Sequence, residues 1–596
     1  MKGRMPRSLF MILSALTVIS ACAKISSPSG GPRDREPPVV IKSNPPNTSK
    51  NFIGKRIIIT FNEYVVLEGI NEKFMVSPPM KSKPRVFIRG KNVNIEFEDE
   101  LRDSTTYTFY FQDAIRDLNE NNPLNNFQFV FSTGPVIDSL SVTGNVYNSY
   151  DLEVPESTLI LLYSQLADSA VVKLLPDYIT LAEDNGRFRI NNVRPGTYRL
   201  YALKDLDNSK NYNLPDEEFA FLNEPVEITT LKNYIPEAAD TATIRSEDEE
   251  SEMIVEPEGE YKLLLFQAQK KNRYLTSSVR ELPYQMIYTL SLPPDTMKFQ
   301  FSIPDTDSSA YFIETSENRD TMIIWLTDST LYSQQQITTF VSYPFTDTTG
   351  VHGYKLDTLL MRHLAPRSSR AKAGRTPYRV STGISSGFLR PDQGLILRSQ
   401  TPFRPPDTSR LKLYEISDNQ RVPVPYSLLM DSTNSCRYFM NTDLQQGKDY
   451  LFIADSAAFG NIYGDYSDST GAKFSLRTPE SYGNLNMNIK NHEGNMIIQL
   501  LDNTEKLVRE VFMTSGGTVE FPLLEKGFYR LRTIFDLNGD GKWTTGDFAE
   551  GRQPEPVSYY PEEHEIRVNW TDNEDWDLQL KNVKNPALRE TRNPRR

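Results

Sequence analysis

The chain has 596 residues, with 66 basic and 78 acidic side chains and a net charge of −12. That balance excludes nucleic acid as a partner, because binding it needs a basic surface. Thirty-nine prolines and thirty tyrosines, with few long helical periods, predict an all-β chain with many turns, and the length predicts about four domains.

The first element is "MKGRMPRSLFMILSALTVISAC". Lys2, Arg4 and Arg7 precede an apolar run from Leu9 to Ile19. A membrane-spanning helix needs roughly 20 apolar residues, so this run has the shape of a secretory signal. Its end, Ile19-Ser20-Ala21-Cys22, resembles the lipobox of bacterial lipoproteins. An ordinary signal peptide with a chance cysteine is the competing reading. The resemblance implies cleavage after residue 21, lipidation of Cys22, and a mature chain held to a membrane by its acyl chains. Removing residues 1–21 leaves 63 basic against 78 acidic side chains, a net −15. No later stretch is long and apolar enough to span a bilayer. With Cys22 acylated, Cys436 has no partner within the chain, so the folds rest on their cores. Cys436 is expected to be a buried small apolar residue.

Residues 22–36 read as a flexible tether. From 37 to 135 short alternating strands follow, cut by turns, as in a β-sandwich. Val93, Ile95 and Phe97 fall on one face, as do Phe127, Phe129 and Phe131. "PPVVIKSNPP", "IIITFNEYV", "TTYTFYFQDAIRDLNENN" and "FQFVFSTG" resemble, in order, the bacterial Ig-like domain of the S-layer type. The Pro-rich entry and the chain layout resemble Ig-like lipoproteins of the Bacteroidota.

A second unit is predicted over 138–235. Its "GRFRINNVRPGTYRLYALKDLDNS" resembles the transthyretin-like sandwich of carboxypeptidase regulatory domains. An acidic linker (236–258) follows, then a third β-sandwich over 259–366. Tyr107 and Phe131 stand 24 residues apart, and so do Tyr450 and Phe474. Residues 376–479 are therefore expected to be a second Ig-like domain. "GTYRLYALKDLDNSKNYNLPDEEFAFLNEPV" aligns without a gap on "GFYRLRTIFDLNGDGKWTTGDFAEGRQPEPV" at an offset of 331. That makes 482–580 a second transthyretin-like sandwich. It pairs Asp205 with Asp536, Asp216 with Asp547, and Pro225-Val226 with Pro556-Val557. A basic tail, 581–596, ends the chain. The fold class predicted is all-β: tandem β-sandwich domains, Ig-like and transthyretin-like, joined by short linkers.

"FDLNGDGKWTTGDF" reads like a calcium loop. Asp536, Asn538 and Asp540 fall at loop positions 1, 3 and 5, Gly541 at 6, Lys542 at 7 (offering its carbonyl) and Asp547 at 12. Hard Ca²⁺ wants six to eight oxygens, and this spacing converges them. Asp547 is shorter than the usual Glu, and an EF-hand needs flanking helices, whereas "KGFYRLRTIF" reads as a strand. Two readings stay open: a structural calcium site in a β-sandwich loop, and a metal-free loop in which Asp and Asn bond local amides. The upstream Asp205, Asp207, Ser209 and Asp216 keep the register with Lys210 in place of the glycine. Trp543 and Tyr212 are expected to pin the two loops to their cores.

Catalytic signals are weak. His352, His363, His492 and His564 show no metal-ligand spacing and are expected on the surface. "GISSG" offers Ser385 without a strand-to-helix elbow. Asp216-Glu217 shows no facing carboxylate across a cleft. The predicted function is non-enzymatic: an interaction or scaffold module, in its concrete form an accessory subunit of an outer-membrane β-barrel complex for assembly, export or uptake. The family resemblance implies an outer-membrane lipid anchor and envelope-protein partners, with the face of the membrane open. The alternative is a glycan-binding surface lipoprotein with Trp325, Trp543, Trp570 and Trp576 as platform candidates, above all a coplanar, exposed Trp570 and Trp576.

Overall fold

The computed structural model describes residues 34–229, 261–269, 271–294, 298–347, 350–363, 378–384, 387–417 and 420–578. The signal, Cys22 and nearly all of the tether, the acidic linker, Ser385 and the basic tail lie outside them. Among the described residues no helix is long and apolar enough to cross a membrane. The chain divides into two compact units. One runs to Tyr147 and covers Val154–Leu265; the other covers Asn148–Glu153 and everything from Phe266.

The first unit opens with a sandwich. A four-stranded sheet (Val40–Asn44, Arg56–Phe61, Asn92–Glu96, Arg85–Arg89) shares a core with a three-stranded sheet (Met75–Ser77, Thr106–Tyr110, Gln128–Ser132). Alternation fixes which side chains enter it: Ile57, Ile59 and Phe61 are fully buried, as are Val93 and Ile95. Phe129 and Phe131 are buried too, while Phe127 is half-buried at the rim. Tyr107 and Phe131 are direct cross-strand neighbours, stacked at 5.4 Å.

The second sandwich links eight strands in one hydrogen-bonded sheet around Val142, Ile160, Leu162, Ile190 and Leu200. One of them corrects the sequence reading. Tyr261–Gln267, assigned above to the third sandwich, lies between Glu218–Phe221 and Leu140–Asn148. Its Leu263 and Leu265 complete the second core. The acidic segment separates this strand from its sheet in sequence, which hides the pairing. Gly144 permits the fit: a Cβ there would sit 2.3 Å from the Tyr261 carbonyl oxygen and 2.4 Å from the Phe188 ring.

In the second unit, the middle sandwich sets Leu275–Val279, Gln285–Leu290, Thr321–Leu326 and Tyr311–Thr315 beside Gln300–Ser302, Gln336–Thr346 and His352–Arg362. The next sandwich repeats the design of the first: Tyr450 faces Phe474 across the sheet, stacked at 5.6 Å. Cys436 here is half-buried, and burial first, then Glu314, pushes its thiol up to about 12. The last sandwich is built on a long hairpin, Gly483–Asp502 and Leu507–Leu524, with Gly527–Phe535 and Thr571–Asp577 along different halves of its first strand.

Candidate functional site

The acidic loops after strands Gly196–Lys204 and Gly527–Phe535 carry the densest chemistry. Each opens on an aspartate that turns back on its own backbone. Asp205 accepts from the amides of Ser209 (3.2 Å) and Lys210 (2.9 Å). Asp536 accepts from Gly539 (2.8 Å), Asp540 (3.2 Å) and Gly541 (3.0 Å). Two residues on, Asp207 takes the Ser209 amide at 2.9 Å and Asn538 takes that of Asp540 at 2.8 Å. The backbone matches too. Asn208 and Lys210 have φ of 61° and 60°, and Gly539 and Gly541 both have 74°. Left-handed φ suits glycine and is tolerated by asparagine, so in the upstream loop Lys210 is the residue held in a conformation its side chain resists.

A glutamate closes each loop. Glu217 accepts from Leu206 (3.2 Å), Asn213 (3.1 Å) and Leu214 (3.1 Å). Glu555 accepts from Leu537 (2.8 Å), Asn538 (3.3 Å) and Thr544 (2.8 Å). Leu206 and Asn213 are the counterparts of Leu537 and Thr544 at the offset of 331. Two of the three amides are the same in both copies, clamped by carboxylates that the ungapped alignment does not pair.

The strand register explains this. Leu203 pairs with Phe219 and its counterpart Ile534 pairs with Val557; Gly196 pairs with Ile228 and Gly527 with Ile566. Beyond the loop the offset is therefore 338, and Glu217 corresponds to Glu555. The downstream loop carries seven extra residues. This corrects two sequence pairings: Asp216 with Asp547, and Pro225-Val226 with Pro556-Val557. Val226 sits where His564 does, and Val557 where Phe219 does.

Asp547 accordingly leaves the predicted ligand set. It lies in the insertion, where it bonds the Lys271 Nζ at 2.6 Å and accepts from the Glu550 amide at 3.2 Å. The insertion grips neighbouring chain within the second unit. Thr545 Oγ1 donates to the Gln267 carbonyl at 2.7 Å, and a Cβ on Gly546 would come within 2.6 Å of the Phe266 ring. Lys542 is exposed, its amide donating to Asp540. Tyr212 stacks on buried Phe219 at 4.3 Å as expected, whereas Trp543 packs edge-on at 4.9 Å to the exposed Tyr150 and donates its Nε1–H to the Glu555 carbonyl at 3.1 Å, so it holds its loop without entering the core.

Charge crowds both loops. Burial first, then Asp207 and Glu217, raises the Asp205 carboxyl above the usual range. Burial likewise raises Glu555, despite its amide donors. Exposed Asp207 goes the other way, to about 2, held by the Asn213 side-chain amide and by Ser209. The carboxylates of Asp205, Asp207 and Glu217 each place an oxygen within 4.8 Å of the others. Such an oxygen set suits a hard cation. In the downstream copy Asn538 donates its side-chain amide to Asp540 at 3.3 Å, while Asp536 and Glu555 accept from backbone amides; among the described residues the three-carboxylate cluster is the upstream one.

Other candidates are placed elsewhere. Glu217 is fully buried and spent on amides, so Asp216-Glu217 is not a cleft carboxylate pair. Of the histidines, His352 alone is exposed. His564 is buried, against expectation, because its strand pairs with Gly527–Tyr529 and stacks its ring on Tyr560 at 4.8 Å. Burial lowers its pKa. Trp325 and Trp576 are buried and Trp543 is half-buried, leaving Trp570 exposed at 60 %. The coplanar Trp570–Trp576 platform does not form, because Trp576 points into the core.

Comparison with known proteins places part of this architecture. Residues 34–133 match the bacterial Ig-like domain family, and residues 174–205 match domain II of polysaccharide lyase family 4. No curated protein sequence matches the chain. Among solved structures, Escherichia coli alpha-2-macroglobulin (domains MG0-NIE-MG1) aligns at 12% identity over 44% of this chain and 95% of that one, with a TM-score of 0.19. The S-layer protein rSbsC(31-844) aligns at 10% identity over 83% and 65%, TM-score 0.13. The human desmocollin-1 ectodomain aligns at 8% identity over 90% and 98%, TM-score 0.14. The class is thus an all-β, tandem-sandwich protein that carries a bacterial Ig-like domain.

Proposed function

We propose that the chain is a non-enzymatic lipoprotein, anchored through Cys22 to the outer membrane, whose sandwiches act as an interaction or scaffold module. Its concrete form is an accessory subunit of an outer-membrane β-barrel complex for assembly, export or uptake. The observation that carries this reading is the free sheet edge of the last sandwich. Among the described residues strand Leu507–Leu524 pairs with a strand on one side only, and it exposes Leu507, Val508 and Phe512. Such an edge can accept a further strand from a partner, with main-chain bonds for affinity and alternate side chains for choice. The test is affinity purification of the tagged, lipidated chain from gently solubilised outer membranes. A stoichiometric barrel protein supports the reading; a chain that elutes alone removes it.

Calcium enters this reading as a structural ligand of the acidic loops. Asp205, Asp207 and Glu217 supply the oxygens in one copy, and Asp536, Asn538, Asp540 and Glu555 in the other. Calorimetric titration with Ca²⁺ checks it. The expected heat is abolished by Asp205→Asn with Asp536→Asn, and a titration without heat removes the ion.

The second reading is glycan binding. It draws on exposed Trp570 and on the match of residues 174–205 to a domain of a polysaccharide lyase family. Binding to a glycan array that is lost in Trp570→Ala supports it, and an array without signal removes it.

A further inference from the structure

Among the described residues, strand His352–Arg362 forms the free edge of the middle sandwich and differs from the edge just described. Its eleven residues pair with Gln336–Thr346 without a break in register. Leu507–Leu524 is interrupted by register shifts, by Gly516-Gly517 and by Pro522. Such interruptions confine added pairing on that edge to short stretches, whereas His352–Arg362 offers an unbroken ladder of eleven residues.

Its unpaired backbone groups can be assigned. The His363 amide donates to the Gln335 carbonyl, and the Asp347 amide to the Val351 carbonyl. Odd-numbered residues therefore bond inward. By antiparallel alternation, the N–H and C=O groups of residues 352, 354, 356, 358 and 360 point outward. The same residues line the outer face, where Tyr354 is 56 %, Leu356 73 % and Leu360 46 % exposed, beside Phe340 on the neighbouring strand.

We propose that this edge pairs with the same edge of a second copy of the chain, antiparallel about a two-fold axis through Leu356. This goes beyond the envelope-partner reading and does not depend on it. In this register the outward groups of even residues meet outward groups of even residues. Leu356 lies opposite Leu356, and Tyr354 opposite Thr358. On the other face Lys355 falls opposite the second copy's aspartate at 357, and the reverse, so two opposite-charge pairs form. Centring the axis on Lys355 or Asp357 instead places like charges directly opposite, which is destabilising. Within one chain Lys355 lies 3.1 Å from Asp357, which also accepts from the Tyr343 hydroxyl, so pairing across copies exchanges the Lys355 contact for the equivalent one from the second copy.

Sedimentation velocity on the full chain across a concentration series tests this. The wild type is expected to show a monomer–dimer equilibrium. Leu356→Lys and Lys355→Asp, both at exposed positions, are each expected to weaken it by at least about tenfold. The charge swap K355D/D357K is expected to restore it, which a folding defect would not do. Circular dichroism confirms that each variant is folded. A wild type that stays monomeric throughout, or a dimer that Leu356→Lys leaves intact, overturns the proposal.

Discussion

The Asp205 loop and the Asp536 loop turn the same corner with different means. Both use an opening aspartate, two left-handed residues and a closing glutamate. The downstream loop puts glycine where the turn needs it and adds seven residues. Those residues hold the chain around Phe266 and Lys271. The upstream loop is shorter, strains Lys210, and gathers three carboxylates. What the copies share is the pair of amides clamped at Leu206/Leu537 and Asn213/Thr544; ligand chemistry is what drifts. A loop held in that way is first a structural corner, and the resemblance to a calcium motif follows from Asp and Asn being the residues that turn such corners.

The comparison breaks most visibly at the closing acid. Glu217→Ala and Glu555→Ala each strip three part-buried amides of their acceptor, a loss of about 3 kcal/mol of local stability at about 1 kcal/mol for each hydrogen bond. Asp216→Ala, at an exposed position, is expected to cost under about 0.5 kcal/mol. Thermal unfolding of the variants checks the difference. Next comes the insertion: Gly546→Leu drives a side chain into Phe266 and is expected to cost about 2 kcal/mol. Its readout is faster proteolysis between residues 266 and 272.

The glycine exchange sharpens the contrast. Gly541→Ala is expected to destabilise by about 1 kcal/mol, and Lys210→Gly to stabilise by up to about 1 kcal/mol, because only the left-handed requirement is shared. Denaturant melts of the two variants should move in opposite directions. The smallest effect is on pH. Asp205 and Glu555 titrate above their ordinary values when folded. Their contribution is fully present below the unfolded carboxylate value and is lost as pH rises through the raised folded value. Asp205→Asn and Glu555→Gln should each flatten that decline in a stability–pH profile.

Much of the fold is written locally. Alternation places Ile57, Ile59, Phe129 and Phe131 in the first core, and the spacing of Tyr107 to Phe131 carries over to Tyr450 and Phe474 as a true cross-strand stack. Strand Tyr261–Gln267 is legible as a strand, yet its sheet is not, because the acidic segment separates it from its neighbours. The loop is legible at its start, where Asp536, Asn538 and Gly541 keep fixed spacing. Its end is hidden. The ungapped alignment finds chance matches at Asp547 and Pro556-Val557, while the closing Glu555 is recognisable only through strand register. The buried His564 is hidden for the same reason, since its position follows from pairing with Tyr529.

Hydrogen exchange on the loop peptide spanning residues 536–545, in Glu555→Ala beside Asp547→Ala, tests the central claim most directly. If the glutamate closes the corner, Glu555→Ala speeds exchange at Leu537, Asn538 and Thr544 by at least about tenfold, and Asp547→Ala leaves those amides unchanged. Fast exchange in Asp547→Ala with slow exchange in Glu555→Ala would contradict it, and would return the loop to the twelve-residue frame that its sequence suggests.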